Sequence, residues 1–441
     1  MKIKKFTLIF TILFILITPL CSPKISQIET SSTSAEVKHV SAQEVDFPIY
    51  SQGAVLMETS TGKVLYGKNE NGKLYPASTT KILTAIIAIE HYNLTDKIIA
   101  NNSAIMAIPS GYSNAAIQPG EALTVEELLE LFLIHSANEV GYIFAEDISG
   151  NIANFADLMN KKATEIGCKN THFTNPSGIH NVEHYSTAYD MALIAKYCMK
   201  NETFRNIVSM PSCTIEATDK YEKRYFKNTN DLIDSKSKYY YENAIGIKTG
   251  FTTQAKNCLI AGSKKNNMEL ITVVLGAEAT ADGRSGRYVD TINLFDYGFA
   301  NYKIQKVNSA NMEIQSLTIQ NATKETKNLP LILDNDISAL VPSNIDLSNL
   351  NYNVDINTNI SAPITKGDAL GKITYNIDGI SYSSNLIAEH DVEKFNYYLL
   401  AFQITLAVVI FLVIIKLVFF RKKKKKKNTY YKSYDSFYRF R

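Results

Sequence analysis

Residues 76–92 read PASTTKILTAIIAIEHY and join a short polar motif to an apolar helical stretch. Ser78 and Lys81 are three residues apart, so if Ser78 opens the helix, Lys81 lies one turn later on the same face. A serine hydroxyl needs a neighbouring base, and a lysine serves as that base only when burial or a second cation lowers its pKa. Backbone N–H groups at a helix N-terminus can also face a developing oxyanion. The stretch predicts a nucleophile with its base, although a capping serine followed by a surface lysine would give the same sequence pattern.

Two further motifs follow along the chain. Ser136-Ala137-Asn138 lies within or after a long helical pattern, where Ser136 could relay a proton and Asn138 could hold a substrate amide. Lys248-Thr249-Gly250 ends a predicted strand. Lys248 would be the second cation, Thr249 could bind a carboxylate, and a small residue on an edge strand lets an extended peptide pair with its backbone. Each motif alone is common, as a polar break or a strand end, so the prediction rests on the three together.

The surrounding pattern predicts an α/β layered domain over residues 45–300. Strands are predicted at 54–57 and 64–66, which form a hairpin, and at 244–249, 258–262 and 270–276. Helices are predicted at 82–92, from a capping box at 124–127, at 152–166 with Gly167 as its stop, at 187–199 and at 287–297. Strands at both ends with helices between them indicate a sheet covered by helices.

The order and spacing of the motifs resemble one family. Ser136 follows Ser78 by 58 residues and Lys248 follows Ser136 by 112. S-x-x-K, a Ser–Asn motif and K-T-G are typical of penicillin-binding proteins and class A β-lactamases. The chain most resembles the low-molecular-mass penicillin-binding proteins that are D-alanyl-D-alanine carboxypeptidases, over about residues 50–393. The resemblance also includes Thr174-Asn175-Pro176-Ser177-Gly178, Ser186-Thr187-Ala188-Tyr189-Asp190-Met191-Ala192, Gly246-Ile247-Lys248-Thr249-Gly250 and Asp296-Tyr297-Gly298-Phe299.

This resemblance implies a serine β-lactamase/transpeptidase-like catalytic domain, and it implies roles for individual residues. Ser78 would form the acyl-enzyme and Lys81 would take its proton, with Ser136 and Lys248 assisting proton transfer and substrate binding. The other implied substrate-binding residues are Asn138, which orients the acyl part, Ser78 and Phe251, whose backbone N–H groups form the oxyanion hole, Thr249 with Gly250, and Arg287 for the terminal carboxylate, with Arg284 as the alternative. The expected partners are peptidoglycan stem peptides and β-lactam antibiotics.

The sequence departs from the family where Glu139-Val140 follows Asn138, a place where Asp-Ala is frequent. We expect this to be tolerated because the atoms with assigned roles come from Ser136 and Asn138.

A D,D-endopeptidase is a near alternative to the carboxypeptidase. A β-lactamase is a second, but no Glu-x-x-x-Asn stands in a suitable place between the second and third motifs, and slow deacylation would separate the two. A catalytically silent peptidoglycan-binding protein is a third, although all the motif residues are present.

The C-terminal part predicts a β-rich domain and a membrane anchor. Residues 301–393 contain short alternating runs, much Asn and Thr and little helix signal, which indicates a β-sandwich. Residues 397–420 form an apolar run of 24, enough for a helix to span a bilayer. Residues 421–441 begin with an arginine and six lysines, which favours a cytoplasmic tail that also binds anionic lipid.

The N-terminal part predicts export. Residues 1–20 contain three lysines before an apolar run and are typical of a signal peptide, and residues 21–44 are typical of a linker. The catalytic domain should therefore be extracytoplasmic, at the cell membrane, held by one C-terminal span. The net charge of +3 comes from the two basic ends, since the tail alone has ten basic residues and one acidic residue. The body between them is acidic, which argues against nucleic acid as a partner.

No cofactor is expected. The five cysteines, Cys21, Cys168, Cys198, Cys213 and Cys258, form no C-x-x-C or Cys/His cluster, which argues against a metal site. A disulfide is permitted outside the cytoplasm, and free buried thiols are an equal alternative. His135 precedes Ser136 but lacks a carboxylate partner for a triad, so we predict that it packs against the helix.

Overall fold

The computed structural model describes residues 45–347 and 350–431, the last thirteen of these by backbone only. The predicted signal peptide at 1–20, the linker at 21–44 and the tail from residue 432 onwards lie outside the described residues. Helices run over Lys81–His91 (α1), Asn102–Met106 (α2), Val125–Glu130 (α3), Asn138–Ser149 (α4), Ile152–Ile166 (α5), Ala188–Cys198 (α6), Glu202–Val208 (α7), Gly286–Asn301 (α8) and Tyr397–Tyr431 (α9).

Short helical turns occupy Ala77–Thr80 and Asp231–Ile233, both 3₁₀, and Leu131–His135, a π-helical turn. Strands run over Gly53–Glu58 (β1), Val64–Lys68 (β2), Lys97–Ile99 (β3), Ala122–Thr124 (β4), Ser212–Ile215 (β5), Arg224–Lys227 (β6), Ala244–Thr252 (β7), Lys256–Lys265 (β8), Met268–Ala277 (β9), Tyr302–Asn308 (β10), Glu313–Thr318 (β11), Asn328–Leu333 (β12), Ile337–Pro342 (β13), Tyr352–Ile356 (β14), Ala369–Ile377 (β15) and Ile380–Ala388 (β16).

An antiparallel five-stranded sheet in the order β2-β1-β9-β8-β7 lies at the centre of the first 300 residues. Strand β1 is buried along its whole length because both faces of the sheet are covered. Val55 and Met57 face the helices α1, α4 and α6, whereas Ala54 and Leu56 face helix α8. The sheet is thus a middle layer between two helical layers. Strand β7 is its edge strand, so the backbone of the third motif is open to a peptide.

The helix ends are where local sequence rules predict them. Thr124 and Glu127 form a capping box at the start of α3. The Asn151 side chain accepts the Asn154 N–H at the start of α5, and Gly167 ends that helix with a φ of 105°. The long helical pattern beginning at residue 124 is not one helix, however. It is interrupted after the π-helical turn, and α4 starts afresh at Asn138.

The residues that follow α8 are built from strands, as predicted. Strands β11-β12-β16-β15-β14 form a five-stranded sheet, and β10 pairs with β13 in a two-stranded sheet. The two sheets share one core, in which Ala339 and Val341 of β13 pack against Leu331, Ile373 and Leu386. This confirms the predicted mixed α/β fold with a C-terminal β-domain.

Helix α9 follows the β-domain and is a candidate membrane anchor. Its segment Tyr397–Val418 is long and apolar enough to cross a bilayer, and none of it is buried against the rest of the described chain. An apolar surface of this length is costly in water, which favours a lipid environment.

Candidate active site

Ser78 lies on the 3₁₀ turn directly before α1, so it precedes the α-helix and does not open it. Ala77, the residue before it, has a φ of 48°, a strained value for a residue with a Cβ. The Thr79 hydroxyl donates to the Pro76 carbonyl at 2.6 Å and fixes the turn. Ser78 is left partly exposed while its neighbours are buried. The turn therefore presents one hydroxyl to solvent on a rigid backbone.

Lys81 is fully buried and its amine reaches three oxygen atoms. Lys81 Nζ is 2.9 Å from Ser78 Oγ, 2.7 Å from Asn138 Oδ1 and 2.8 Å from the Ser177 carbonyl oxygen. Burial and, second, the positive charge of Lys248 hold the pKa of Lys81 well below its usual value, while Glu139 opposes them. The neutral amine is therefore available at a much lower pH than for an exposed lysine.

The second motif lies at the break between two helices. Ser136 has a left-handed backbone, with a φ of 71°, immediately after the π-helical turn. This conformation is unfavourable for serine and is held by the buried segments on both sides. Asn138 begins α4 and donates from its backbone N and its Nδ2 to the Ser113 carbonyl, at 3.0 and 2.8 Å. The break thus places Ser136 and Asn138, both largely buried, beside Ser78 in one cavity.

Lys248 is fully buried in strand β7. Its Nζ has no hydrogen-bond partner within the described part of the chain. Burial and, second, the charge of Arg287 lower the pKa of Lys248 to about 7. A buried ammonium without an acceptor is costly, so this group is suited to an acceptor that arrives with a ligand.

The residues after Lys248 form the open edge of the site. The hydroxyls of Thr249 and Thr229 are 2.6 Å apart. A Cβ on Gly250 would lie 3.1 Å from the Ser78 backbone N, which explains a glycine where β7 passes the 3₁₀ turn Ala77–Thr80. The Phe251 side chain is 61% exposed. Strand β7 therefore approaches Ser78 closely with its backbone and leaves the space above it free.

One cavity of about 570 Å³ joins these elements. The predicted residues that line it are Ser78, Ser136, Asn138, Thr249, Gly250, Phe251 and Arg287. Lys81 and Lys248 lie beneath its floor, both fully buried. Arg284 is not among the lining residues and pairs with Asp282 at 2.7 Å instead. Of the two arginines, the geometry brings only Arg287 to the cavity.

The segment 174–178 supports the 3₁₀ turn Ala77–Thr80 in a way that its sequence does not reveal. The Asn175 side chain accepts the backbone N–H groups of Ser177 and Gly178, at 3.2 and 2.8 Å, which aims the Ser177 carbonyl at Lys81. A Cβ on Gly178 would lie 1.8 Å from the Ala77 carbonyl oxygen, so only glycine fits. The Thr80 hydroxyl and His184 Nε2 are 2.9 Å apart, within hydrogen-bond distance. Burial lowers the pKa of this histidine to about 3.

A second support holds the loop 110–113, which lines the cavity opposite β7. Glu139 is buried and accepts the Ala115 N–H at 2.6 Å. Arg224, itself paired with Glu121, donates to the Ala115 carbonyl at 3.1 Å. Burial raises the pKa of the Glu139 carboxyl. Residue 139, where the chain departs from the family pattern, thus anchors a wall of the cavity.

Other polar groups have structural surroundings. The His135 ring packs on Phe226, with centroids 4.3 Å apart. Cys168, Cys198, Cys213 and Cys258 are free thiols. Within residues 45–347 and 350–431, no group of three His, Cys, Asp or Glu side chains is placed to hold a metal ion.

Comparison with known proteins gives concordant matches. Residues 37–279 match the family model described as D-alanyl-D-alanine carboxypeptidase, and residues 302–394 match that of the penicillin-binding protein 5 C-terminal domain. The D-alanyl-D-alanine carboxypeptidase DacF of Bacillus subtilis is 34% identical over 74% of this chain and 81% of its own length. DacA of Haemophilus influenzae is 31% identical over 68% of this chain and 76% of its own. The crystal structure of penicillin-binding protein 5 from Haemophilus influenzae matches 80% of this chain and all of that one, with a TM-score of 0.61 and 30% identity.

Proposed function

The chain belongs to the D-alanyl-D-alanine carboxypeptidase family of serine peptidases, and we propose that it removes the terminal D-alanine of peptidoglycan stem pentapeptides through an acyl-enzyme on Ser78. The observation that carries the residue assignment is the buried Lys81 amine, 2.9 Å from Ser78 Oγ and bonded to two further oxygens. A neutral amine has two hydrogens and one lone pair. With its hydrogens on Asn138 and Ser177, its lone pair faces the Ser78 hydroxyl, as a general base requires.

The reaction then follows in two stages. The Ser78 proton passes to Lys81 as Ser78 Oγ bonds to the carbonyl carbon of the penultimate D-alanine. The backbone N–H groups of Ser78 and Phe251 stabilise the oxyanion. The C–N bond breaks as a proton reaches the leaving amine, with Ser136 and Lys248 in the relay. Water then hydrolyses the ester and regenerates Ser78. β-Lactams would acylate the same hydroxyl, and the resulting acyl-enzyme would hydrolyse slowly.

Substrate binding follows from the cavity walls. The peptide would lie as an added strand on the β7 edge, with Asn138 holding its acyl part. Arg287, Thr249 and Lys248 would take the terminal carboxylate, since a buried cation without a partner favours an anion. Gly250 keeps the strand close to Ser78.

Replacing Arg287 by alanine should raise KM and lower kcat/KM for diacetyl-L-Lys-D-Ala-D-Ala about 10- to 100-fold. A hydrogen bond to a charged group contributes roughly 1.5–3 kcal/mol, and each 1.36 kcal/mol is a factor of about ten. D-Alanine release measures the effect. The matched control is Arg284→Ala, which should keep wild-type kinetics. On the same substrate with a C-terminal carboxamide, Arg287→Ala should cause little further loss of activity. An equal loss on both substrates would contradict the assignment of Arg287 to the terminal carboxylate.

Replacing Lys248 by glutamine should shift the acid limb of the pH profile of the acylation rate to higher pH. Lys81 acts as base only when neutral, so acylation falls as pH drops through its pKa. The Lys248 cation, present below about pH 7, lowers that pKa, so removing the cation raises it. Rates of fluorescent-penicillin acylation in a pH series measure the shift, with the exposed Lys264→Gln as control. An unmoved limb, or one moved to lower pH, would contradict this electrostatic role.

The domain organisation completes the proposal. We propose a signal peptide at 1–20, a linker at 21–44, a catalytic domain at 45–300, a β-domain at 301–393, a single membrane span at 397–420 and a cytoplasmic tail at 421–441. The support is the apolar helix followed by the lysine run. The catalytic domain would face the cell wall, and the span would contact membrane lipid. Protease added outside intact cells should release the body and spare the tail; the reverse would contradict this topology.

A further inference from the structure

A second cavity, of about 310 Å³, lies at one end of the central sheet. Lys73, Leu74 and Tyr75, just before the nucleophile turn, form one wall, and Val182 with Tyr185 forms another. Gln254 and Ala255, in the turn between β7 and β8, close the side that faces the first cavity. None of these residues has a role in the reaction proposed above.

The walls of this second cavity are fixed by backbone hydrogen bonds. Leu74 and Ser186 exchange N–H···O bonds of 2.8 and 2.9 Å, and His172 exchanges two of 2.9 Å with Tyr185. The Tyr75 ring contacts the His180 ring edge-on, with centroids 4.7 Å apart. A cavity with walls held in this way is available to a ligand without a prior rearrangement.

The two cavities are adjacent at the β7–β8 turn, because Gln254 lines both of them. If the terminal carboxylate lies at Thr249 and the reacting carbonyl lies at Phe251, the acyl side of the peptide runs on towards Gln254. Gln254 is three residues beyond Phe251, in the turn that follows β7, so it lies at most about 10 Å from Phe251, the length of two to three extended peptide residues. The part of a stem peptide that reaches this point lies two to three residues before the bond that is cut.

Lys73 gives the second cavity its chemical character. It is the single charged residue among the residues described as lining it. The Lys73 side chain is exposed and its Nζ lies 4.2 Å from the centroid of the Tyr185 ring. In a stem peptide, the D-glutamyl residue two positions before the reacting D-alanine has a free α-carboxylate when it is not amidated. The charge and position of Lys73 match that carboxylate.

We propose that the second cavity is a subsite for the acyl side of the stem peptide, in which Lys73 binds the α-carboxylate of the D-glutamyl residue. The proposal rests on the proposed function, since the direction of the peptide follows from the assigned roles of Thr249 and Phe251. The subsite makes the enzyme prefer long, unamidated stem peptides over short ones.

The test compares three substrates with the detergent-solubilised full chain. They are L-Ala-γ-D-Glu-L-Lys-D-Ala-D-Ala, the same peptide with D-isoglutamine in place of D-glutamate, and diacetyl-L-Lys-D-Ala-D-Ala. Lys73→Ala should lower kcat/KM for the first substrate about two- to fivefold, through KM, as expected for a partly exposed ion pair. It should leave the other two unchanged. Lys73→Arg should keep the preference for the D-glutamyl peptide over the D-isoglutaminyl peptide, and Lys73→Glu should reverse it.

The matched control is Lys265→Ala, an exposed lysine at the opposite end of β8, which should behave as wild type. Equal losses of Lys73→Ala on all three substrates, or no loss on the first, would overturn the subsite. If the wild-type chain releases no D-alanine from diacetyl-L-Lys-D-Ala-D-Ala and takes up no penicillin, the proposed function fails instead. The two failures are therefore distinguishable.

Discussion

Ser78→Ala should abolish D-alanine release and penicillin labelling. The expected loss of kcat is about 10⁴-fold or more, as for other serine peptidases that lose their nucleophile. The physical reason is that no second hydroxyl is within reach of the Lys81 amine in its described contacts, which are Ser78 Oγ, Asn138 Oδ1 and the Ser177 carbonyl. D-Alanine release from diacetyl-L-Lys-D-Ala-D-Ala by the detergent-solubilised full chain measures the effect.

The fold should survive this substitution. Ser78 is partly exposed, and Lys81 keeps two of its three hydrogen-bond acceptors when the hydroxyl is removed. The thermal unfolding midpoint should therefore stay near that of the wild type. Ser60→Ala, at an exposed serine in the turn after β1, is the matched control and should keep full activity. Turnover by Ser78→Ala near the wild-type rate would contradict the assignment of Ser78 as the nucleophile.

Lys81→Met should slow acylation by about 10³-fold, within the usual range for removing a general base. Methionine fills similar space and stays compatible with burial, but it has no lone pair basic enough to take the serine proton. The measurement is the rate of covalent labelling by fluorescent penicillin. The exposed Lys97→Met is the control and should label at the wild-type rate.

This substitution also leaves Asn138 Oδ1 and the Ser177 carbonyl without a donor, so it should lower stability by about 1–3 kcal/mol. Lys81→Arg separates the two effects. An arginine supplies hydrogen-bond donors for both acceptors, but it stays protonated because its pKa is too high for it to act as a base. Lys81→Arg should therefore remain slow even where the protein is folded. Wild-type labelling rates for either variant would show that another group removes the proton.

Much of the proposed active site follows from local sequence. A serine and a lysine three residues apart must lie on one side of a helical turn, and the structure has them 2.9 Å apart. The capping box at Thr124 and the stop at Gly167 depend only on neighbouring residues. The sheet follows from apolar runs too long and too continuous to be half exposed, as in β1.

What the sequence did not reveal depends on distant contacts. The left-handed conformation of Ser136 is imposed by the packing of two buried segments, because serine has no preference for it. The Ser177 carbonyl that binds Lys81 is a backbone atom 96 residues away, and a backbone atom leaves no signature in residue type. A cluster of Asn, Ser and Gly at 174–178 was the available signal, since such residues form tight turns.

The β5–β6 hairpin was also missed. Its strands, Ser212–Ile215 and Arg224–Lys227, are only four residues each, and in the second strand the charged Arg224 is buried while Tyr225 is exposed. Its structural role becomes visible only through Arg224, which crosses to Glu121 and Ala115 and fixes the wall of the cavity. Glu139 is similar, since its burial and its contact with Ala115 come from the fold and not from the motif beside it.

The most direct test is to locate the acylated residue. The detergent-solubilised full chain is treated with penicillin, digested, and analysed by tandem mass spectrometry. We predict a single penicilloyl group on Ser78, absent when Ser78 is alanine and strongly reduced when Lys81 is methionine. An adduct on Ser136 or on any other residue, or no adduct at all on folded protein, would contradict the claim that the hydroxyl beside the buried Lys81 amine is the nucleophile.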